Sequence, residues 1–179
     1  IGGAQDVPVY NFLPQSNIYY ANLQIDGNLE EWQKSPIGLP EPRVGFAIFL
    51  IENRIIIAGG MTSHYYDARN SVITTTINPD GTINQWETLS PLPYSVQRPS
   101  WLILNNNIVL VGGFNGSSYI DSIIYSPIAA ENKPTSWLYN GTEFPRINCC
   151  SPAVVLNNKI YLTGGHDGST YFSSVYSTT

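Results

Sequence analysis

The stretch Arg54-Ile-Ile-Ile-Ala-Gly-Gly60 is an apolar run stopped by two glycines, and the chain returns to the same phrase at regular intervals. It recurs as Asn107-Ile-Val-Leu-Val-Gly-Gly113 and Lys159-Ile-Tyr-Leu-Thr-Gly-Gly165, with a truncated copy, Ile1-Gly-Gly3, at the start. The first glycines stand at 2, 59, 112 and 164, so the intervals are 57, 53 and 52 residues. Self-similarity at a period near 50 is the mark of a repeat architecture, in which each unit buries its apolar face only against its neighbours.

Each copy of the phrase is the second strand of a hairpin. Val44-Gly-Phe-Ala-Ile-Phe-Leu-Ile51 precedes the opening phrase across the turn Glu52-Asn53, and it is apolar enough to be buried on both faces. Ser100 to Leu104 with Asn105-Asn106, and Asn148 to Leu156 with Asn157-Asn158, repeat that order. After the glycines come a variable loop and an alternating strand, at Ile18 to Ile25, Val72 to Ile77, Tyr119 to Ile128 and Tyr171 to Thr178. A fourth strand carries Trp32, Trp86 or Trp137. From Trp to the next glycine pair the spacings are 27, 26 and 27 residues; from glycine pair to Trp they are 30, 27 and 25. Length variation therefore sits in the outer half of the unit, as in a propeller blade whose inner strands pack round an axis.

An Arg after a Pro-containing crossing, an apolar hairpin ending in Gly-Gly, an alternating third strand and a Trp on the fourth together resemble the kelch repeat, over the whole of residues 1–179. The Asp26-Gly27 and Asp80-Gly81 turns before Trp32 and Trp86 look like those of kelch-like propellers from bacterial and archaeal exported proteins. The third unit departs from this pattern, with Glu131-Asn-Lys-Pro134 in place of Asp-Gly. The resemblance implies an all-β fold, with repeat units at about 1–42, 43–93, 94–145 and 146–179. Two complete four-stranded blades and two partial ones do not close a ring of four to eight. The expectation is a segment of a larger propeller, with further blades from the same or another chain.

The sequence is low in charge. Charged residues make up 12% against roughly 25% in an average soluble domain, a surface suited to a secreted or cell-surface protein. A net charge of -5 and the absence of any Lys or Arg run argue against a nucleic-acid partner. No apolar stretch approaches the length of a membrane span.

Arg43, Arg98 and Arg146 each follow a Pro-containing crossing, and an antiparallel blade puts that crossing on the same face as the loop after the glycines. Those loops carry His64, Tyr65, Tyr66, Phe114, Tyr119, His166, Asp167 and Tyr171. Arginine with aromatics on one face is the composition of a binding surface, and kelch propellers commonly bind through this face. The bland alternative has the arginines tying loop carbonyls and the tyrosines packing between blades. It weighs most for positions that recur in every blade and least for His64, Tyr66, His166 and Asp167, which do not.

Cys149 and Cys150 read as two thiols, one of them buried. A vicinal disulfide or a metal site is the weaker reading, because no His or second Cys pair stands nearby in sequence to complete a zinc set. Asn115-Gly-Ser117 and Asn140-Gly-Thr142 match the glycosylation sequon, both in predicted loops, and matter if the chain is exported. The copper oxidases built on kelch propellers need a Tyr–Cys cross-link with two His ligands, and nothing here points to one. Sugar hydrolysis needs paired carboxylates, whereas Glu30, Glu31, Asp80 and Glu87 lie around the outer strands.

The expected function is thus a non-enzymatic module, without metal or cofactor, that binds protein or glycan through its loop face. The alternatives are a structural subunit of a surface layer, filament or appendage, and part of an exported sugar-active enzyme.

Overall fold

In the computed structural model, residues 4–7, 11–63, 66–145 and 148–178 are described. The glycine pair at 2 and 3 lies outside them. Three isoleucines in a row cannot all face one side of a strand, since side chains alternate with a period of two. The run is stable only if both faces are covered, and that dictates the architecture.

The chain forms β1 (Ala4–Val7), β2 (Asn11–Pro14), β3 (Tyr19–Tyr20), β4 (Gln33–Lys34), β5 (Ala47–Ile51), β6 (Arg54–Ala58), β7 (Val72–Thr76) and β8 (Glu87–Leu89). It continues with β9 (Ser100–Leu104), β10 (Asn107–Phe114), β11 (Tyr119–Pro127), β12 (Leu138–Glu143), β13 (Ala153–Leu156), β14 (Lys159–Thr163) and β15 (Val175–Ser177). One 3-10 turn, Ala130–Asn132, interrupts the strands. Two antiparallel four-stranded sheets run in sequence order, β5-β6-β7-β8 and β9-β10-β11-β12. A three-stranded sheet, β13-β14-β15, follows, and β3 pairs with β4 ahead of them. β9 lies beside both β5 and β13, so the first strands of successive sheets converge on a common axis. No helix among the described residues is long and apolar enough to cross a membrane.

Alternation along the central strands divides the core between neighbours. Ile55 and Ile57 pack with Ile18, Leu39, Ile73 and Ile83 on one face of β6. Ile56 and Ala58 pack with Ala47, Phe49, Ile108 and Leu110 on the other. On β10, Ile108 and Leu110 belong to that second layer, while Val109 and Val111 pack with Leu102, Phe144, Ile160 and Leu162. Trp86 and Trp137 lie against the first two layers, and the Trp137 indole N–H donates to the Ser90 carbonyl at 3.2 Å. In the third layer Phe144 and Tyr176 meet edge to face, with ring centroids 5.2 Å apart. Beside them an apolar cleft of about 320 Å³ opens between β10 and β14.

The glycine pairs sit where blades touch backbone to backbone. Gly60 N–H donates to the Val96 carbonyl at 2.8 Å and Gly113 N–H to the Asn148 carbonyl at 2.7 Å. Gly112 has φ +63, and a Cβ there would lie on the Asn148 carbonyl oxygen. Only glycine combines that backbone with that approach.

Three expectations are corrected in detail. The alternating run Ile18 to Ile25 yields only β3, followed by a single bridge between Leu23 and Leu29. Leu23 and Ile25 are exposed; with no layer to cover them, alternation alone does not hold a longer ladder. The polar, Pro-containing stretch between Gly3 and Ile18 is expected as a plain connection and instead holds the antiparallel pair β1 and β2. Third, Asn140 lies within β12 and not in a loop, at a register shift opposite Ser122 to Ile124.

Candidate functional site

Superposing the repeats on their glycine pairs shows that the arginines are not equivalent. Gly60 and Gly113 meet the carbonyls of Val96 and Asn148, and the 53- and 52-residue intervals put Arg43 at the same place in its own unit. Arg43 is 1% exposed. Its guanidinium donates to the Gly59 carbonyl at 3.1 Å, the Ser71 carbonyl at 3.3 Å and Ser71 Oγ at 2.7 Å, and pairs with Glu41. Burial holds its pKa below the ordinary guanidinium value, opposed by the hydrogen bond to Glu41. With its donors turned inward, Arg43 is a strut beneath the loop face, which corrects its assignment to the ligand surface. In the last blade Asn148 and Ser151 do the same work, with Ser151 Oγ donating to the Gly164 carbonyl at 3.1 Å. Arg146, His64 and Tyr65 lie outside the described residues.

Arg98 belongs to a different set, with Gly45 and Cys150. All three have positive φ, Gly45 at 67°, Arg98 at 51° and Cys150 at 63°. Arg98 N–H donates to the Gly45 carbonyl at 2.6 Å and Cys150 N–H to the Arg98 carbonyl at 3.2 Å. The three peptides form a chain of hydrogen bonds from blade to blade just ahead of the first strands.

Beside this chain the loops after the glycines bring aromatic rings into one row. Tyr66 and Phe114 lie with centroids 6.2 Å apart, Phe114 and Tyr119 4.9 Å, Tyr119 and His166 5.4 Å, and His166 and Tyr171 5.5 Å. Three successive blades contribute to it. Phe114 and His166 stand at the same position of their units, each paired back to the incoming chain through Gln97 and Cys149 respectively. Phe114 is buried, while Tyr66 and Tyr171 are 68% and 87% exposed. The row is thus anchored in its middle and open at its ends. Tyr66, Tyr119, His166 and Tyr171, expected on one face, do come together.

The loop that carries His166 is fixed by Asp167. Its Oδ1 accepts from the backbone N–H groups of Ser169 at 2.9 Å and Thr170 at 2.8 Å, and from Ser169 Oγ at 2.8 Å. Those hydrogen bonds hold its carboxyl at about 2. Asn115, 52 residues earlier, makes the same turn with Ser117 and Ser118, both at 2.8 Å. Asp167 and Asn115 thereby organise their loops through the oxygen that a ligand would otherwise approach.

The feature that sequence reasoning missed lies under His166. Cys149 exchanges backbone hydrogen bonds with His166 at 2.9 and 3.1 Å, so the imidazole and both thiols meet, their donor atoms all within 4.8 Å of one another. The 16 residues between Cys149 and Asp167's neighbour span a hairpin, so proximity along the chain could not reveal it; the glycine register, which sets His166 opposite Cys149, could. Positive φ at Cys150 turns its sulfur to the side of Cys149, 2.7 Å away. Such a trio of donors suits a soft metal. However, Nδ1 of His166 accepts the Gly168 N–H at 3.1 Å, which leaves the proton on Nε2. A ligating histidine presents one nitrogen to the metal and donates from the other, and here the second nitrogen faces a donor. The trio reads instead as a hydrogen-bonded dithiol. The Cys149 hydrogen bond, with a further one from His166 and the charge of Arg98, holds Cys150 well below the usual thiol range against its partial burial. The same Cys149–Cys150 bond, with burial, pushes Cys149 up.

Comparison with known proteins agrees with this architecture. The kelch motif matches residues 148–177. Among 152 chains of solved structures that match, the structure of YjhT superposes with a TM-score of 0.64 at 17% identity, covering 80% of this chain and 45% of that one. The chain thus spans less than half the length of that structure. The search of curated proteins gives no match. The fold is that of a kelch-repeat β-propeller.

Proposed function

We propose that this kelch-repeat propeller segment is a non-enzymatic interaction module, exported or displayed at a surface, that takes a protein ligand across its loop face. The observation that carries the reading is the aromatic row from Tyr66 to Tyr171, built by three blades and exposed at both ends. Tyrosines give large, rigid contact area with few rotatable bonds, and such residues dominate the energy of protein interfaces. A buried Phe114 and hydrogen-bonded turns at Asn115 and Asp167 hold the rings in place before binding, which lowers the ordering cost of association. Further blades, from the same chain or another, would complete the ring and extend the face.

A glycan is the second reading, favoured by the hydroxyl-bearing loops around the exposed rings. Ser117, Ser118, Ser169 and Thr170 offer hydroxyls and no charge beside Tyr119 and Tyr171.

A display library of peptides and proteins, and a glycan array, would each be screened with the chain. Any binder would then be titrated against a Tyr66→Ala, Tyr171→Ala variant. Loss of two exposed hot-spot rings should weaken binding by roughly a hundredfold, at about 1–2 kcal/mol per ring, with thermal stability unchanged. Equal affinity of wild type and variant refutes the reading. Self-association through the lateral surfaces, seen by sedimentation and unaffected by these substitutions, would favour the structural-subunit role.

A further inference from the structure

The paired cysteines are not used by the ligand reading, and three features set them apart from ordinary core thiols. Cys149 is buried and Cys150 is exposed, so one sulfur is inert and shielded while its neighbour is open to solvent. Adjacent residues in a strand point their side chains to opposite faces, yet these sulfurs lie 2.7 Å apart because Cys150 has φ +63. A non-glycine residue in that region costs on the order of 1 kcal/mol or more, and the equivalent residue two blades earlier is Gly45. Third, the groups facing Cys150 are all donors or cations: the Cys149 thiol, the His166 ring with its proton on Nε2, and Arg98 from the preceding blade.

We propose that Cys150 is a site of thiol–disulfide exchange with small-molecule disulfides, in which Cys149 and His166 act as positioning residues. The Cys150 thiolate attacks one sulfur of the disulfide RS–SR. A Cys150–SR bond forms, the S–S bond of the reagent breaks, and the second RS⁻ leaves with the electron pair and takes its proton from solvent. No electron acceptor beyond the disulfide is needed. Thiolate is the reacting species in such exchange, and it is favoured beside hydrogen-bond donors and positive charge. The adduct stands at the foot of the aromatic row, next to His166, so the modification would alter the face that the proposed ligand uses. The reaction itself does not depend on that ligand reading.

The test uses the reduced chain with dithiodipyridine, following release of thiopyridone by stopped flow. One equivalent should appear in a fast phase, with a second, from buried Cys149, only slowly or on unfolding. A thiolate of low basicity is also a weaker nucleophile, so the rate at neutral pH exceeds that of a cysteine peptide only a few-fold, and the pH profile is the discriminating readout. Between pH 8 and pH 7 the fast rate should change by less than about twofold, whereas an unperturbed thiol of pKa about 8.5 loses roughly eightfold. Cys150→Ser should abolish the fast phase. Cys149→Ala and His166→Leu, which remove the donors, should keep it but restore the steep profile, and His166→Gln, which retains an N–H donor, should keep part of the flat one. Survival of the fast phase in Cys150→Ser, or a wild-type profile as steep as the peptide's, overturns the proposal. Mass spectrometry after oxidised glutathione places the adduct; an adduct on Cys149 alone overturns it as well.

Discussion

Replacing Arg43 with Met tests whether this residue is a strut or a ligand contact. The substitution keeps most of the buried stem and removes the guanidinium, which strands the Gly59 carbonyl and Ser71 Oγ and leaves the Ser71 carbonyl only the Gly59 N–H at 3.1 Å. Hydrogen bonds to a charged group contribute roughly 1.5–3 kcal/mol each when broken singly. The ion pair adds little, because Glu41 is 40% exposed and screened by water. Removing a buried charge recovers part of its desolvation cost, and a single side chain's bonds do not sum. The net loss should be about 3 kcal/mol. In a chain of this size each kcal/mol moves the melting temperature by roughly 2–4 °C, so Arg43→Met should melt about 6–12 °C lower by circular dichroism. Below that transition, binding on the loop face should match wild type. A melting temperature within about 2 °C of wild type, or lost binding in a stably folded variant, would refute the strut.

Two further predictions concern the loop face. Asp167 should titrate near 2 in a carboxyl NMR experiment, because its hydrogen bonds favour the charged form. Its folded value lies below the unfolded one of about 3.9, so its contribution to loop order is complete above that value and is lost as pH falls toward 2; a midpoint near 3.9 would contradict the geometry. Gly165→Ala should destabilise by at least about 2 kcal/mol, read by denaturant titration: φ is +88, and the added Cβ would lie on Asn148 Oδ1 and Ser151 Oγ and 2.8 Å from the Cys149 carbonyl. A neutral outcome would mean that the blade contact at Asn148 yields easily.

The repeat made the central strands legible. β6, β10 and β14 fall where the glycine phrases lie, and both-face burial of Ile55 to Ala58 follows from a run that never alternates. The aromatic row was half legible. Its members could be placed on one face from blade topology, but their spacing depends on loops that sequence does not fix. The nearby prolines make the three arginines look equivalent, and the glycine register separates them. Aligned on glycines, Arg98 falls with Gly45 and Cys150, and Arg43 with Val96 and Asn148, as the backbone contacts require. The dithiol was hidden for a different reason: His166 reaches Cys149 across a hairpin, and positive φ at a cysteine has no signature in composition. The short β3 shows the limit of periodicity, since an alternating pattern needs a covering layer to become a ladder.

The hydrogen-bonded chain through Gly45, Arg98 and Cys150 asks one backbone conformation of three chemically unrelated residues. Its hydrogen bonds come from peptides alone, so they do not depend on which side chain stands at each position. A position of that kind is an interchangeable socket. Evolution, or a designer, can seat a cation, a nucleophile or nothing at the mouth of each blade for a conformational penalty on the order of 1 kcal/mol. Diversity at residues 45, 98 and 150 is therefore a direct route to a new chemical character for this face, with the peptide hydrogen bonds between blades kept.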